Sequence, residues 1–211
     1  MTDEALERIE GKLRLVREQG ARPFGVESHE LRMSAPLSPA EIEAAEARLG
    51  VRFPEEYRRF VTHIGDGGAG PAFGVFSLAA ALGRSRLDLA PTLLRLPFPH
   101  RCKYNPDIDP AEIAFWLRMD APDATEAEMD LHIARQGAGA LVLCDEGCRY
   151  LHFLVVTGPA RGTMWIDARG GFVPLGVTFL EWYERWLDHL LAGGRGTWWL
   201  DPQPTASASG V

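Results

Sequence analysis

An α+β domain, an antiparallel or mixed sheet meander packed against helices, is the fold class this sequence predicts, on three observations. Capped amphipathic helices crowd its first third, and strand-like runs joined by short glycine turns follow Ala140. A strongly aromatic helical segment then closes the domain. Consecutive strands joined by short turns pair antiparallel, which excludes a doubly wound parallel sheet.

Taken in order, residues 2–19 read as a helix whose Leu6, Ile9, Leu13 and Val16 share a face. Gly20 to Pro36 is rich in breakers and reads as a connector. Ser38 caps the next helix, with Pro39 at its first position and Glu41 at its third, a capping box. Ile42, Ala45 and Leu49 form its apolar face, and Gly50 ends it by allowing a left-handed backbone. A further helix starts at Pro54, with Glu55 and Glu56 near its positive end and Tyr57, Phe60, Val61 and Ile64 as its stripe. Gly65 stops it, and a strand is predicted near Phe73–Leu78.

Residues 79–136 form a variable middle segment broken by Pro91, Pro97, Pro99, Pro106 and Pro110. Short helices are predicted there from Asp109 to Met119 and around Ala127–Arg135. Strands follow at 140–144, at 149–157, which is mostly apolar and central, and from Gly162 to Asp167. Gly170-Gly171 turns the chain into a short strand around Phe172-Val173. Thr178 and Glu181 make another capping box, opening a helix with Phe179, Trp182, Tyr183, Trp186, Leu187 and Leu190 on one face. Gly193-Gly194 ends it, and Thr205–Val211 reads as a frayed tail. The expected division is an N-terminal helix and connector over 1–36, a domain over 37–192, and a C-terminal extension over 193–211.

Of the 211 residues, 46% are hydrophobic, enough for a sizeable core without disulfides, and three cysteines suit a reducing compartment. No apolar run approaches the ~20 residues of a membrane helix, and Met1-Thr2-Asp3-Glu4 is acidic where a signal peptide would be basic. These features predict a cytoplasmic protein. The net charge of -7 disfavours nucleic-acid binding and suits a basic partner.

Gly65-Asp66-Gly67-Gly68-Ala69-Gly70 satisfies GxGxxG literally, but a dinucleotide fingerprint needs a strand before it and a helix after it. Here an amphipathic helix precedes, Pro71 follows, and Asp66 would repel phosphate. A tight corner is the expectation, and no cofactor is predicted. Cys144, Cys148 and His152 are spaced four apart, with His100 and Cys102 elsewhere. On a strand, residues 148 and 152 sit roughly 13 Å apart, so the spacing does not predict a four-ligand metal site. His63 and His189 occupy helix ends, where a cation meets the negative pole. Asp66, Asp167 and Glu181 are candidate carboxylates, with nothing to pair any two of them for acid–base chemistry. Trp182 and Trp186 are core residues by their helical spacing, and Trp165 by its strand position. Trp198 and Trp199 are expected to pack back on the domain.

Two blocks of residues carry a family likeness. The first runs through Leu49-Gly50-Val51, Phe53-Pro54-Glu55-Glu56-Tyr57-Arg58-Arg59-Phe60, Gly65-Asp66-Gly67-Gly68 and Gly70-Pro71. The second takes in Gly147-Cys148, Val156-Thr157-Gly158-Pro159, Gly162, Trp165, Phe179-Leu180-Glu181-Trp182-Tyr183 and Trp186-Leu187. Together they resemble the SUKH superfamily of Smi/Knr-like proteins, over roughly 37–78 and 140–191. The resemblance implies a non-enzymatic protein-binding domain, which in bacterial members is an immunity protein neutralising a cognate toxin. For yeast members it implies a regulatory scaffold with several host partners, an alternative reading here. A metal- or ligand-dependent enzyme centred on the unmatched middle is the third. No binding residues transfer from the resemblance; by loop placement alone, Asp66, Asp145 and Glu146 are the candidate partner contacts.

Overall fold

The structure is a computed structural model that describes residues 2–85, 91–168, 171–194 and 198–200. The turn residue Gly170 and the tail at 205–211 lie outside the described residues. Seven α-helices and four strands follow one another in the order α1 (Thr2–Glu18), α2 (Pro39–Leu49), α3 (Glu55–His63), α4 (Leu78–Arg84), α5 (Pro110–Met119), α6 (Glu126–Gln136), β1 (Ala140–Asp145), β2 (Tyr150–Val155), β3 (Thr163–Ala168), β4 (Gly171–Thr178) and α7 (Phe179–Leu191) among the described residues. The fold is α+β: one sheet ordered β1-β2-β3-β4, every pair antiparallel.

The helix starts obey their local chemistry. The Ser38 hydroxyl accepts from the Glu41 N–H and the Glu41 carboxylate accepts from the Ser38 N–H, while Pro39 stands where its missing N–H costs nothing. Gly50 ends α2 in the left-handed region at φ 68°. Thr178 and Glu181 repeat the capping box at α7, and Glu56 reaches over from α3 to accept from the Leu180 N–H at 3.0 Å.

Helix α7 is the hub of the main core. Phe179, Leu180, Trp182, Tyr183, Trp186, Leu187 and Leu190 are all buried along it. Burial of a side chain of this size contributes about 1.5–3 kcal/mol, so this one helix carries a large part of the core's stabilisation. On one side it meets α1 through Leu6, Ile9, Leu13 and Val16, with Arg8 and Lys12 pairing to Glu184 at the rim. On another it meets α3, where the Phe60 ring stands edge-on to Phe179 and Tyr183 at 5.0 and 4.8 Å. Trp182 turns to the sheet and donates its indole N–H to His152 of β2 at 3.0 Å.

The sheet separates two cores. Leu154, Val156, Leu141 and Leu143 face the helices, while Phe153, Val155, Ala140 and Val142 face the other way. A bulge between Val142 and Cys144 puts Leu143 and Cys144 both on the helical side. The outer face is covered by Phe98, which sits 5.0 Å from Trp165 and 5.7 Å from Phe172, and by His100 stacked on Phe172 at 4.5 Å. Because both faces are covered, β2 reads as a nearly unbroken apolar run.

Two expectations need correction. No strand spans Phe73–Leu78; only Val75 bridges, to Gly68 and Cys144, and the Phe76 N–H donates to Leu143. The chain then enters α4, because the Ser77 hydroxyl caps it through the Ala80 N–H and Leu78-Ala79-Ala80-Ala81-Leu82 favours helix. Strand β4 is also longer than a short piece around Phe172-Val173, since pairing with β3 extends it to Thr178.

Candidate functional site

The glycine corner after α3 is built by close backbone approach. At Gly68, φ is 112° and an added Cβ would stand 2.3 Å from the Arg32 carbonyl; at Gly67, φ is 82° and the Cβ would meet the Ser77 nitrogen at 2.5 Å. A side chain at either position would force the corner open. Four of its amides are already used. The N–H groups of Gly65, Asp66, Gly68 and Ala69 donate to the carbonyls of Phe60, Ala35, Val75 and Arg32. A phosphate cradle needs free, convergent N–H groups, and this corner has spent these four.

Asp66 lies half-buried in that corner and accepts from the Leu78 N–H at 2.7 Å, adding a second cap to α4. Burial pushes its carboxyl above the usual carboxylate range, Glu41 adds to the rise, and the Leu78 bond opposes it. At the far end of α4, Arg84 approaches Asp145 at 3.9 Å, while the other Asp145 oxygen accepts from the Gly147 N–H at 2.7 Å. Thus α4 spans the distance between two of the loop acids.

Glu146 turns inward, its side chain 9% exposed. One oxygen accepts from the Trp199 indole, and the other lies 3.2 Å from His152 Nε2, within ion-pair distance but off the line of a hydrogen bond. His152 is fully buried, and its Nδ1 accepts from Trp182, so a neutral ring carries its proton on Nε2. Trp198 stacks on the same imidazole and is buried, so this residue packs back on the domain as expected. None of the three loop acids projects freely. Asp66 and Asp145 are half-buried, the Glu146 side chain is more deeply buried, and each holds an internal contact.

Cys144 and His152 are register partners across β1 and β2, whereas Cys148 sits exposed in the hairpin turn at φ 51°. Burial pushes the Cys144 thiol well up, and it donates to the Pro71 carbonyl at 3.3 Å. Among the described residues no group of three or more His, Cys, Asp or Glu side chains is placed to hold a metal ion. Glu181 serves the cap of α7, and exposed His63 lies 2.9 Å from the Arg59 carbonyl at the end of α3.

The middle segment holds a polar cage that the sequence reading did not nominate. Glu112 of α5 is 6% exposed. It accepts from the Tyr104 hydroxyl, the Trp116 indole and the Gln136 amide at 2.9, 2.8 and 2.9 Å, and His132 Nε2 lies 2.9 Å from both of its oxygens. Burial alone would raise this carboxyl; the bonds from His132, Tyr104 and Trp116 and the histidine's charge override it and hold the carboxyl below the usual range. The signal available in the sequence was the four-residue spacing of Glu112 and Trp116 and of His132 and Gln136. The pairing of the two helices was not in it. With its acceptors all occupied, the cage joins α5 to α6.

The SMI1 / KNR4 family (SUKH-1) matches residues 36–150. The chain belongs to this family. The matched span covers the glycine corner and runs unbroken through the middle segment, ending at Tyr150 in β2; most of the second likeness block, 140–191, lies beyond it. No curated protein and no solved structure matches the chain. Among the described residues, no helix of this family member is long and apolar enough to cross a membrane.

Proposed function

We propose that this SUKH-1 protein is a non-enzymatic binding domain of the immunity type, which neutralises a toxin domain by covering its working surface. Membership of the family over residues 36–150 carries the reading. The net charge of -7 agrees with it, because an enzyme acting on nucleic acid presents a basic cleft that an acidic inhibitor complements. Four of the corner amides donate within the chain, and the Glu112 carboxylate is held by four donors, so these groups serve the fold.

Asp66, Asp145 and Glu146 enter this reading as candidate contacts by their loop positions. Each already holds an internal bond, so a partner contacting them must share or replace it. The test is affinity capture from the native lysate at low and moderately high salt, with partners identified by mass spectrometry. The purified partner is then assayed for toxicity with and without this chain. One stoichiometric toxin-bearing partner whose activity the chain abolishes is the expected result. Several substoichiometric housekeeping partners would replace this reading with a regulatory scaffold.

A further inference from the structure

Helix α5 is built inside out. Its most buried residue is the carboxylate Glu112, while Ile113, Trp116 and Leu117 on the outer face are 43%, 39% and 68% exposed. These three fall at i, i+3 and i+4, the spacing of one helical stripe. Ile108, in the turn just before α5, is 74% exposed, and Ile133 follows His132 on α6. Isolated exposed apolar residues need no explanation, but a stripe of three with an exposed neighbour in the adjoining turn marks a contact surface.

The charge of the chain is concentrated around this stripe. Between Asn105 and Asp130 there are eight Asp and Glu residues and a single base, Arg118. The rest of the chain then holds twenty-one acids and twenty-one bases, so these twenty-six residues account for the whole net charge of -7. Asp107, Asp120, Asp123 and Glu126 are exposed there. The arrangement is an exposed apolar stripe with exposed acids before and after it in the chain, carried on helices joined by the Glu112 cage.

We propose that the outer face of α5, with Ile113, Trp116 and Leu117 at its centre and the flanking acids as its rim, docks a protein surface that presents an apolar patch ringed by lysine and arginine. This rests on the protein-binding reading above and assigns it a surface other than Asp66, Asp145 and Glu146. Charge complementarity selects the occupant. A second copy would set two segments of charge -7 against each other, and a nucleic acid or an anionic membrane would meet the same repulsion.

The test uses the full chain, 15N-labelled, and three synthetic peptides: an amphipathic Leu/Lys helix, an all-Lys peptide and a Leu/Gln helix. The Leu/Lys peptide is expected to shift amides within residues 107–133 and to bind at least about tenfold more tightly than either control. The double variant Ile113→Gln, Leu117→Gln is expected to weaken it about tenfold. Because both positions are exposed, thermal melting of the double variant should match the parent. Raising salt from about 50 to 300 mM is expected to weaken binding severalfold, and the triple variant Asp107→Asn, Asp120→Asn, Asp123→Asn should flatten that dependence. Equal binding of the all-Lys peptide, shifts centred on the glycine corner, no binding at about 1 mM, or a parent dimer abolished by the double variant would each overturn the proposal. So would a toxin partner from the capture experiment that the double variant still neutralises as the parent does, a result that leaves the immunity reading standing. Peptide binding as expected, with no toxin captured, supports the surface and removes that reading instead.

Discussion

Helices α7 and α5 start from similar local chemistry and end with opposite faces in the core. Thr178 opens α7 in a capping box with Glu181, and Asp109 caps α5 by accepting from the Ala111 and Glu112 N–H groups. In α7 the aromatic stripe lies inward against α1, α3 and the sheet. In α5 the inner side carries Glu112 with half-buried Phe115 and Met119, and the larger part of its apolar surface faces out. Capping fixes where a helix begins and leaves its rotation open. Rotation is decided by what the neighbouring elements offer: aliphatic and aromatic surface under α7, and the donors Tyr104, His132 and Gln136 beside α5.

The comparison is broken most severely at Trp182. Trp182→Ala removes a fully buried side chain and leaves a cavity against His152, so a loss of about 3–5 kcal/mol is expected in denaturant unfolding. Glu112→Ala should come next, at about 2–4 kcal/mol, because four donors lose their shared acceptor inside the structure. Glu112→Gln, which keeps an acceptor oxygen, should cost less. If Glu112→Ala costs no more than a surface substitution, the cage does not hold α5.

Acid should separate the two helices without mutation. The Glu112 carboxyl sits below its ordinary value of 4.5, so its contribution is full above that value and is lost as pH falls through the lower folded value. His132, Tyr104 and the nearby His100 face the same carboxylate. Amide exchange in α5 and α6 is expected to rise below about pH 4.5 in the parent and to lose that step in Glu112→Gln. At the α1–α7 interface the rim carboxylate Glu184, held below the usual range by its bonds from Arg8 and Lys12, gives up its pairing in acid as well, whereas the apolar contacts behind it should open only with global acid unfolding.

Smaller effects test the corner and the outer stripe. Asp66→Ala removes a cap of α4 and should cost about 1 kcal/mol, whereas Asp66→Asn keeps the acceptor and sheds the cost of burying a charge. Asparagine should therefore be as stable as the parent at pH 7 or slightly more so, measured by thermal melting. Leu117→Gln should change stability by no more than about 0.5 kcal/mol, since its side chain is 68% exposed.

Particular residues show how much could be read from the chain alone. Ser38, Pro39 and Glu41 announce α2, Gly50 ends it, and Thr178 with Glu181 announces α7, because caps and breakers act within four residues. The order of strands after Ala140 was legible for the same reason, since short glycine turns leave only neighbouring antiparallel pairing. Val75 reads locally as part of a strand, but its partners, Gly68 and Cys144, lie seven and sixty-nine residues away and make only isolated bridges, while Ser77 caps α4. Among the candidate contacts, position in a loop was legible for Asp66, Asp145 and Glu146, but the internal bonds of each were not.

By itself, then, the sequence determined the α+β class, the capped helices, the meander and the likeness to the SUKH superfamily, all properties of short-range chemistry and ordered motifs. Tertiary structure alone decided that Glu112 would be sheltered among Tyr104, Trp116, His132 and Gln136, and that Ile113 and Leu117 would be left in solvent. The physical reason is that desolvating a carboxylate is tolerable only where several donors converge, and here most of those donors come from outside α5, on a loop and a second helix.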